Sequence, residues 1–268
     1  MLKIRLIPVM LMRQGMLVRS VGFTTYRPAG NPLNAIQFFN QWDVDEIVFL
    51  DITPGKSRGV GRLDDNYERF ESLVDYTKYI SRHCFVPLTV GGGIATIANM
   101  RELFNAGADK VSLNTIIHSH PEVLQEASGM FGRQALVASI DVKKTRGNYE
   151  VVTGYGKKMT GMNPVSWAKE VQKLGAGEIL LNSIDNDGKM QGYDLKLIQM
   201  VADEVDIPVI ACGGVGNWQH LVDGVKKGHA SAVAAANIFH FSEQATKKAK
   251  DYMFEAGLNV RKTGFMHW

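Results

Sequence analysis

The chain of 268 residues is 45% hydrophobic and 21% charged with a net charge of +3, proportions that suit one large globular domain with an ample core. So small a charge, with Lys and Arg spread along the chain, argues for a solvated surface and against a nucleic-acid partner. Two cysteines, Cys84 and Cys212, make neither a metal spacing nor a disulfide framework, and the apolar run from Leu6 to Met12, crowded by Lys3, Arg5 and Arg13, is too short for a signal peptide or a membrane span, so a soluble cytoplasmic protein is expected.

In chain order, apolar runs of strand length occur at Ile4–Leu11, Glu46–Ile52, Val86–Val90, Lys110–Asn114, Leu136–Val142, Glu178–Ile184, Pro208–Cys212 and Ser231–Ala236. Helical patterns lie between them at Pro32–Trp42, Leu63–Arg82, Ala95–Ala106, Pro121–Phe131, Pro164–Leu174, Asp194–Asp203, Asn217–Lys227 and Ser242–Ala256. Strands and helices alternating eight times predict an α/β fold, the (β/α)8 barrel, with an open doubly wound sheet as the alternative. Two long Gly-containing stretches, Met16 to Asn31 and Pro54 to Asp65, read as loops able to close over a ligand.

The chain also repeats itself. Val86-Pro87-Leu88-Thr89 opens onto Val90-Gly91-Gly92-Gly93-Ile94 and then a helix, and Ile207–Val215 repeats the arrangement 121 positions later. Asp45–Leu50 matches Gly177–Asn182 at an offset of 132, Asn114–His118 matches Ala236–His240 at 122, and Leu6–Leu11 matches Leu136–Asp141 at 130. An internal duplication is expected, with half-barrels at about 1–130 and 131–268 inside one domain, and it favours a closed ring over an open sheet. A strand that opens onto glycines before a helix lets backbone N–H groups converge on an anion. The doubled turn therefore predicts a ligand with a phosphate at each end.

Chemistry in such barrels gathers at the C-terminal ends of the strands. Asp51, Asn114, Thr115, Asp141, Asn182, Ser183, Asp185, Asp187 and Asn237 fall there. Asp141 is placed either to exchange protons with a ligand or to cap its loop and pair with Lys143; Asp187 either acts chemically or sets a turn. Arg5, Glu46, Lys110 and Glu178 start strands on the opposite face, where they form either a closed ring of ion pairs or ordinary surface pairs. The methionines read as core filler, and His118 and His240, which have no ligand cluster beside them, as structural. No metal or cofactor is expected.

The segments DEIVFLDIT (45–53), VGGGI (90–94), DKVSLNT (109–115) and GEILLNSIDNDG (177–188), with Gly192-Tyr193-Asp194, Gly213-Gly214 and the tail Gly257–Arg261, resemble the cyclase subunit of imidazole glycerol phosphate synthase over essentially the whole chain. That family is a duplicated (β/α)8 barrel that takes ammonia from a glutaminase subunit to cleave and cyclise a bis-phosphorylated nucleotide. The resemblance implies that Gly92, Gly93, Asn114 and Thr115 hold one phosphate. Asp187, Gly188, Gly213, Gly214 and Asn237 would hold the other. Asp141 falls on one of the family's two catalytic aspartates. Arg5, Glu46, Lys110 and Glu178 fall on its ammonia gate, and Asp109 on its glutaminase-facing surface. The other aspartate is replaced by Leu11, the repeat partner of Asp141, and the strand-1 Lys by Met12-Arg13. Leu11, LLNSID and IACGG are similar to a paralogous branch associated with surface-polysaccharide genes. There a glutaminase and a separate ATP-using amidotransferase amidate a sugar. The resemblance therefore implies a barrel that receives and passes on ammonia, with a glutaminase and a sugar amidotransferase as partners. The alternatives are a genuine cyclase of histidine biosynthesis and, more weakly, a one-subunit phosphosugar isomerase, whose chemistry also wants the strand-1 Asp.

Overall fold

The computed structural model describes residues 2–55, 70–240 and 244–262. The chain forms β1 (Arg5–Arg13), β2 (Met16–Val21), β3 (Thr25–Gly30), β4 (Ile47–Asp51), β5 (Leu88–Gly91) and β6 (Lys110–Leu113), then β7 (Leu136–Thr145), β8 (Asn148–Thr153), β9 (Lys158–Met159), β10 (Glu178–Ser183), β11 (Val209–Cys212) and β12 (Ala232–Ala235). Parallel pairing runs β1-β4-β5-β6-β7-β10-β11-β12 and returns to β1 through Arg5↔Ala232 and Pro8↔Ala235, so eight strands close a barrel. All eight are the strands expected from the sequence.

Helices α1 (Pro32–Gln41), α2 (Leu73–Ser81), α3 (Ile97–Asn105), α4 (Thr115–Ser119), α5 (Glu122–Phe131), α6 (Pro164–Leu174), α7 (Leu195–Ala202), α8 (Trp218–Lys226) and α9 (Ala245–Glu255) fill the connections. Their starts are written locally. Asn31, Ser72, Thr96, Asn163, Asp194 and Asn217 each accept a backbone N–H of the first turn, and Pro32 and Pro164 open their helices where no donor is needed. The expected helices at Leu63–Arg82 and Ser242–Ala256 begin outside the described residues, as does most of the loop from Pro54 to Asp65. Among the described residues no helix is long and apolar enough to cross a membrane.

The alternation of β1 separates two cores. Leu6, Met10 and Met12 face the helices and join the large outer cluster, while Ile7, Val9 and Leu11 point into the barrel with Val48, Val137, Leu180 and Ile210. Such layers of branched side chains line the inside of a closed barrel. The tail closes the bottom: Ile4 donates to Asn259 at 2.8 Å, and the Lys250 ammonium, 1% exposed, pairs with Asp45 at 2.7 Å.

The stretch from Met16 to Asn31 is not a loop. β1 and β7 run on past the barrel rim and fold back as antiparallel hairpins, β2–β3 and β8–β9. Both reversals are two-residue turns, Gln14-Gly15 (φ 52° and 77°) and Arg146-Gly147 (φ 51° and 86°). Positive φ at both central positions matches the twist of the flanking strands, which is why short hairpins favour such turns.

Candidate active site at the two ends of the barrel

At the floor, the four charged residues from strand starts close into one circuit. Arg5 Nη1 lies 2.5 Å from Glu46 Oε2 and 3.1 Å from Glu178 Oε1. Lys110 Nζ is 3.0 Å from each of the same two glutamates, so every member touches two of opposite sign. Thr89 Oγ1 adds a 2.8 Å hydrogen bond to Glu46, which is only 1% exposed. Burial works against the Arg5 cation, yet Glu178 and Glu46 outweigh it and raise its pKa. Asp109, exposed beside Lys110, accepts the Leu88 N–H at 2.8 Å and so also fixes the start of β5.

The mouth carries the other set. Asp141 reaches the upper rim of β7, where Asn114 Nδ2 donates to Oδ2 at 2.8 Å and Asn182 Nδ2 to Oδ1 at 3.3 Å. Loss of hydration lifts its pKa to about 7; the two amides oppose that shift and the Asp187 charge adds to it. A carboxyl group that ionises near neutrality, held by neutral amides at a strand end, is suited to take up and release a proton. It makes no pair with Lys143.

Leu11 occupies the matching place on β1. It pairs with Val18 of the returning strand and Leu50 of the next barrel strand, as Asp141 pairs with Val152 and Asn182. Its side chain is 9% exposed and packs in the inner apolar cluster. One of two register-matched rim positions therefore carries a titratable group and the other cannot. Arg13, two residues on, stacks its guanidinium 4.3 Å over the Tyr26 ring. Cys212 faces the same interior, but burial and the Asp187 and Asp141 charges push its thiol up to about 12, so it is no thiolate nucleophile. Burial and Arg19 lower His240 to about 4, leaving it neutral.

The expected phosphate residues fall into two groups on opposite sides of the ring. Gly92 and Gly93 follow β5, and Asn114 and Thr115 follow β6; Asp187 and Gly188 follow β10, Gly213 and Gly214 follow β11, and Asn237 follows β12. Gly92 has φ 111°, and a Cβ there would lie 2.0 Å from the Asp51 carbonyl oxygen; Gly214 has φ 107° and would meet that of Gly192 at 2.1 Å. Both turns require glycine for backbone reasons alone.

Ser20 was not foreseen as a site residue. This fully buried hydroxyl on β2 donates to Asp187 Oδ2 at 2.6 Å, and the Ser20 carbonyl accepts from Asn237 Nδ2 at 2.9 Å. The Asp187 carbonyl accepts the Gly22 N–H at 3.1 Å. Across the mouth, Gly154 of the β8–β9 turn donates to Thr115 Oγ1 at 3.4 Å, and Tyr155 Oη donates to the Thr53 carbonyl at 3.1 Å. A Cβ on Gly156 would sit 3.3 Å from the Phe23 ring, so the tips of the two hairpins meet. Asn182 Oδ1 and Asn237 Oδ1 are buried without a hydrogen-bond partner among the described residues.

Fold and placement together define a (β/α)8 barrel protein with its candidate site residues at the strand C-termini and a closed ring of charges at its floor. The chain belongs to the histidine biosynthesis protein family, whose model matches residues 5–245.

Proposed function

We propose that this barrel is the ammonia-receiving subunit of a cytoplasmic, glutamine-dependent amidation system that acts on a surface-polysaccharide sugar, with a glutaminase docked on its floor and a sugar amidotransferase downstream. The observation that carries the reading is the pairing of an intact four-membered charge ring at the floor with Leu11 at the rim position matched to Asp141. Ammonia would enter past Arg5, Glu46, Lys110 and Glu178, with Asp109 on the glutaminase-facing surface, and leave at the mouth. There the two glycine turns would hold a phosphorylated ligand. The two-residue reversals after β1 and β7 and the matched registers of Leu11 and Asp141 support an origin of the barrel by duplication of a half-barrel.

A second reading, a working cyclase subunit of histidine biosynthesis, is favoured by the family match, by the two retained glycine turns and by Asp141, whose pKa near 7 suits general acid–base work. Association with a co-encoded glutaminase, followed by glutamine-dependent amidation, tests the first reading. Complex formation, with delivery lost in Lys110→Ala but external ammonium still used, is the expected result. Failure of the two proteins to associate, or glutamine-dependent product that does not need the barrel, would defeat it.

A further inference from the structure

Three groups assigned to the second anion site, Asp187, Gly188 and Asn237, are all engaged by one residue of the β2–β3 hairpin. The Ser20 hydroxyl donates to the Asp187 carboxylate at 2.6 Å. Its carbonyl oxygen takes the Asn237 amide N–H at 2.9 Å. The same oxygen lies so near Gly188 (φ 69°) that a Cβ there would be 2.2 Å away. Gly22 and Phe23 continue the grip, donating to the Asp187 carbonyl at 3.1 Å and to its carboxylate at 3.4 Å. On the other side the β8–β9 hairpin reaches Thr115 of the first site through the Gly154 N–H at 3.4 Å and covers no buried hydroxyl of that site among the described residues.

An anion bound at the second turn needs N–H donors and close approach to a glycine backbone. The Ser20 carbonyl already uses both: it accepts from Asn237 and sits against Gly188, as an anion oxygen would. We propose that the β2–β3 hairpin is a strap that competes with a phosphate-class anion for the Gly188 and Asn237 side of the second anion site, and that Ser20 is its latch. The proposal rests on that turn being an anion site. Its consequence is asymmetry: the first turn, at Gly92 and Gly93, takes its anion without displacing a buried hydroxyl, while the second takes one only as Ser20 lets go. Ser20 acts through Asp187 and Asn237 and is a positioning residue.

The test uses the whole chain, inorganic phosphate as titrant and amide-resolved NMR. Chemical shifts of Gly213 and Gly214 report the second turn, those of Gly92 and Gly93 the first, and hydrogen exchange of Gly22 and Phe23 reports the latch. In the unmodified chain, saturation of the second turn is expected to speed exchange at Gly22 and Phe23. Ser20→Ala is expected to tighten phosphate at the second turn on the order of tenfold, the equivalent of one hydrogen bond to a charged group, and to leave the first turn unchanged. Shifts at Gly213 and Gly214 with latch exchange unaltered, or with equal or weaker binding in Ser20→Ala, would overturn the strap while leaving the anion site standing. Absence of shifts at Gly213 and Gly214 in both proteins would remove the anion site and the strap together. If Ser20→Ala does not fold, the exchange measurement on the unmodified chain decides alone.

Discussion

At the floor of the barrel two cations and two anions meet in a ring in which each charge has two opposite neighbours, whereas at the mouth Asp141 is held by two neutral amides and feels Asp187 as a like charge. At the floor the two glutamates hold the Arg5 cation against the cost of its burial. The mouth leaves a carboxyl group near neutrality and two amide oxygens buried without partners among the described residues. Buried polar groups are costly when unmatched, so the floor is satisfied within itself while the mouth carries groups that are not. Matched and unmatched polar groups are thereby separated by the length of the strands.

The largest expected effect breaks the floor. Lys110→Ala leaves Glu46, 1% exposed, with less compensating charge, and should cost roughly 3–5 kcal/mol of unfolding free energy in a denaturant titration. Replacing Lys110 by Met together with Glu46 by Gln should recover part of that loss, because the orphaned charge goes too. A cost below about 1 kcal/mol for Lys110→Ala would mean that the ring is solvated like a surface pair.

Next in size is Gly188→Ala. Its positive φ and the Ser20 oxygen 2.2 Å from the added Cβ should cost about 1–3 kcal/mol and loosen the β2–β3 hairpin. Gly147→Ala, at φ 86° with open space around it, should cost less, since only the backbone conformation is at stake. Equal losses in the two would remove the close packing of Gly188 on β2 from the account.

The smallest effect, and the one of opposite sign, is at the mouth. The folded-state pKa of Asp141 is raised above its unfolded value, so its contribution is fully stabilising below about pH 4 and is lost as pH rises through about 7. The shift alone amounts to about 4 kcal/mol at pH 8, but an Asn would keep only one acceptor for the two amide donors, so Asp141→Asn should stabilise the protein at pH 8 by on the order of 1–2 kcal/mol and show no such gain near pH 4. Carboxyl carbon NMR of Asp141 gives the midpoint directly; a midpoint below 5 would contradict the desolvated mouth.

The barrel strands were legible because buried parallel strands are continuous apolar runs of fixed length, and Val86–Val90 and Pro208–Cys212 end on glycines that mark the turns. The hairpins were not. Their turns are Gln14-Gly15 and Arg146-Gly147, and the strong sequence signal for a two-residue hairpin is Asn-Gly or Asp-Gly. In β2 the buried positions Leu17, Val18 and Ser20 keep no clean alternation, although an X-Gly pair occurring twice 132 positions apart was a usable clue. The charge ring was readable as four charges at strand starts, while its closure required the barrel to bring residues 5, 46, 110 and 178 together. The contact of Ser20 with Asp187 spans 167 positions and joins a strand to a loop, which no local pattern announces.

The most direct measurement of the central claim is turnover of the cyclase family's bis-phosphorylated substrate by the isolated chain with ammonium salt, beside Leu11→Asp. Leucine can neither give nor accept a proton, and loss of one acid–base group typically lowers the rate by about 10²–10⁴-fold. The unmodified chain should form little imidazole product. Leu11→Asp, although it places a carboxyl group in an apolar cluster, should raise the rate toward that of a barrel with two proton-transferring groups. Robust turnover by the unmodified chain, with no gain from Leu11→Asp, would contradict the account and establish a working cyclase.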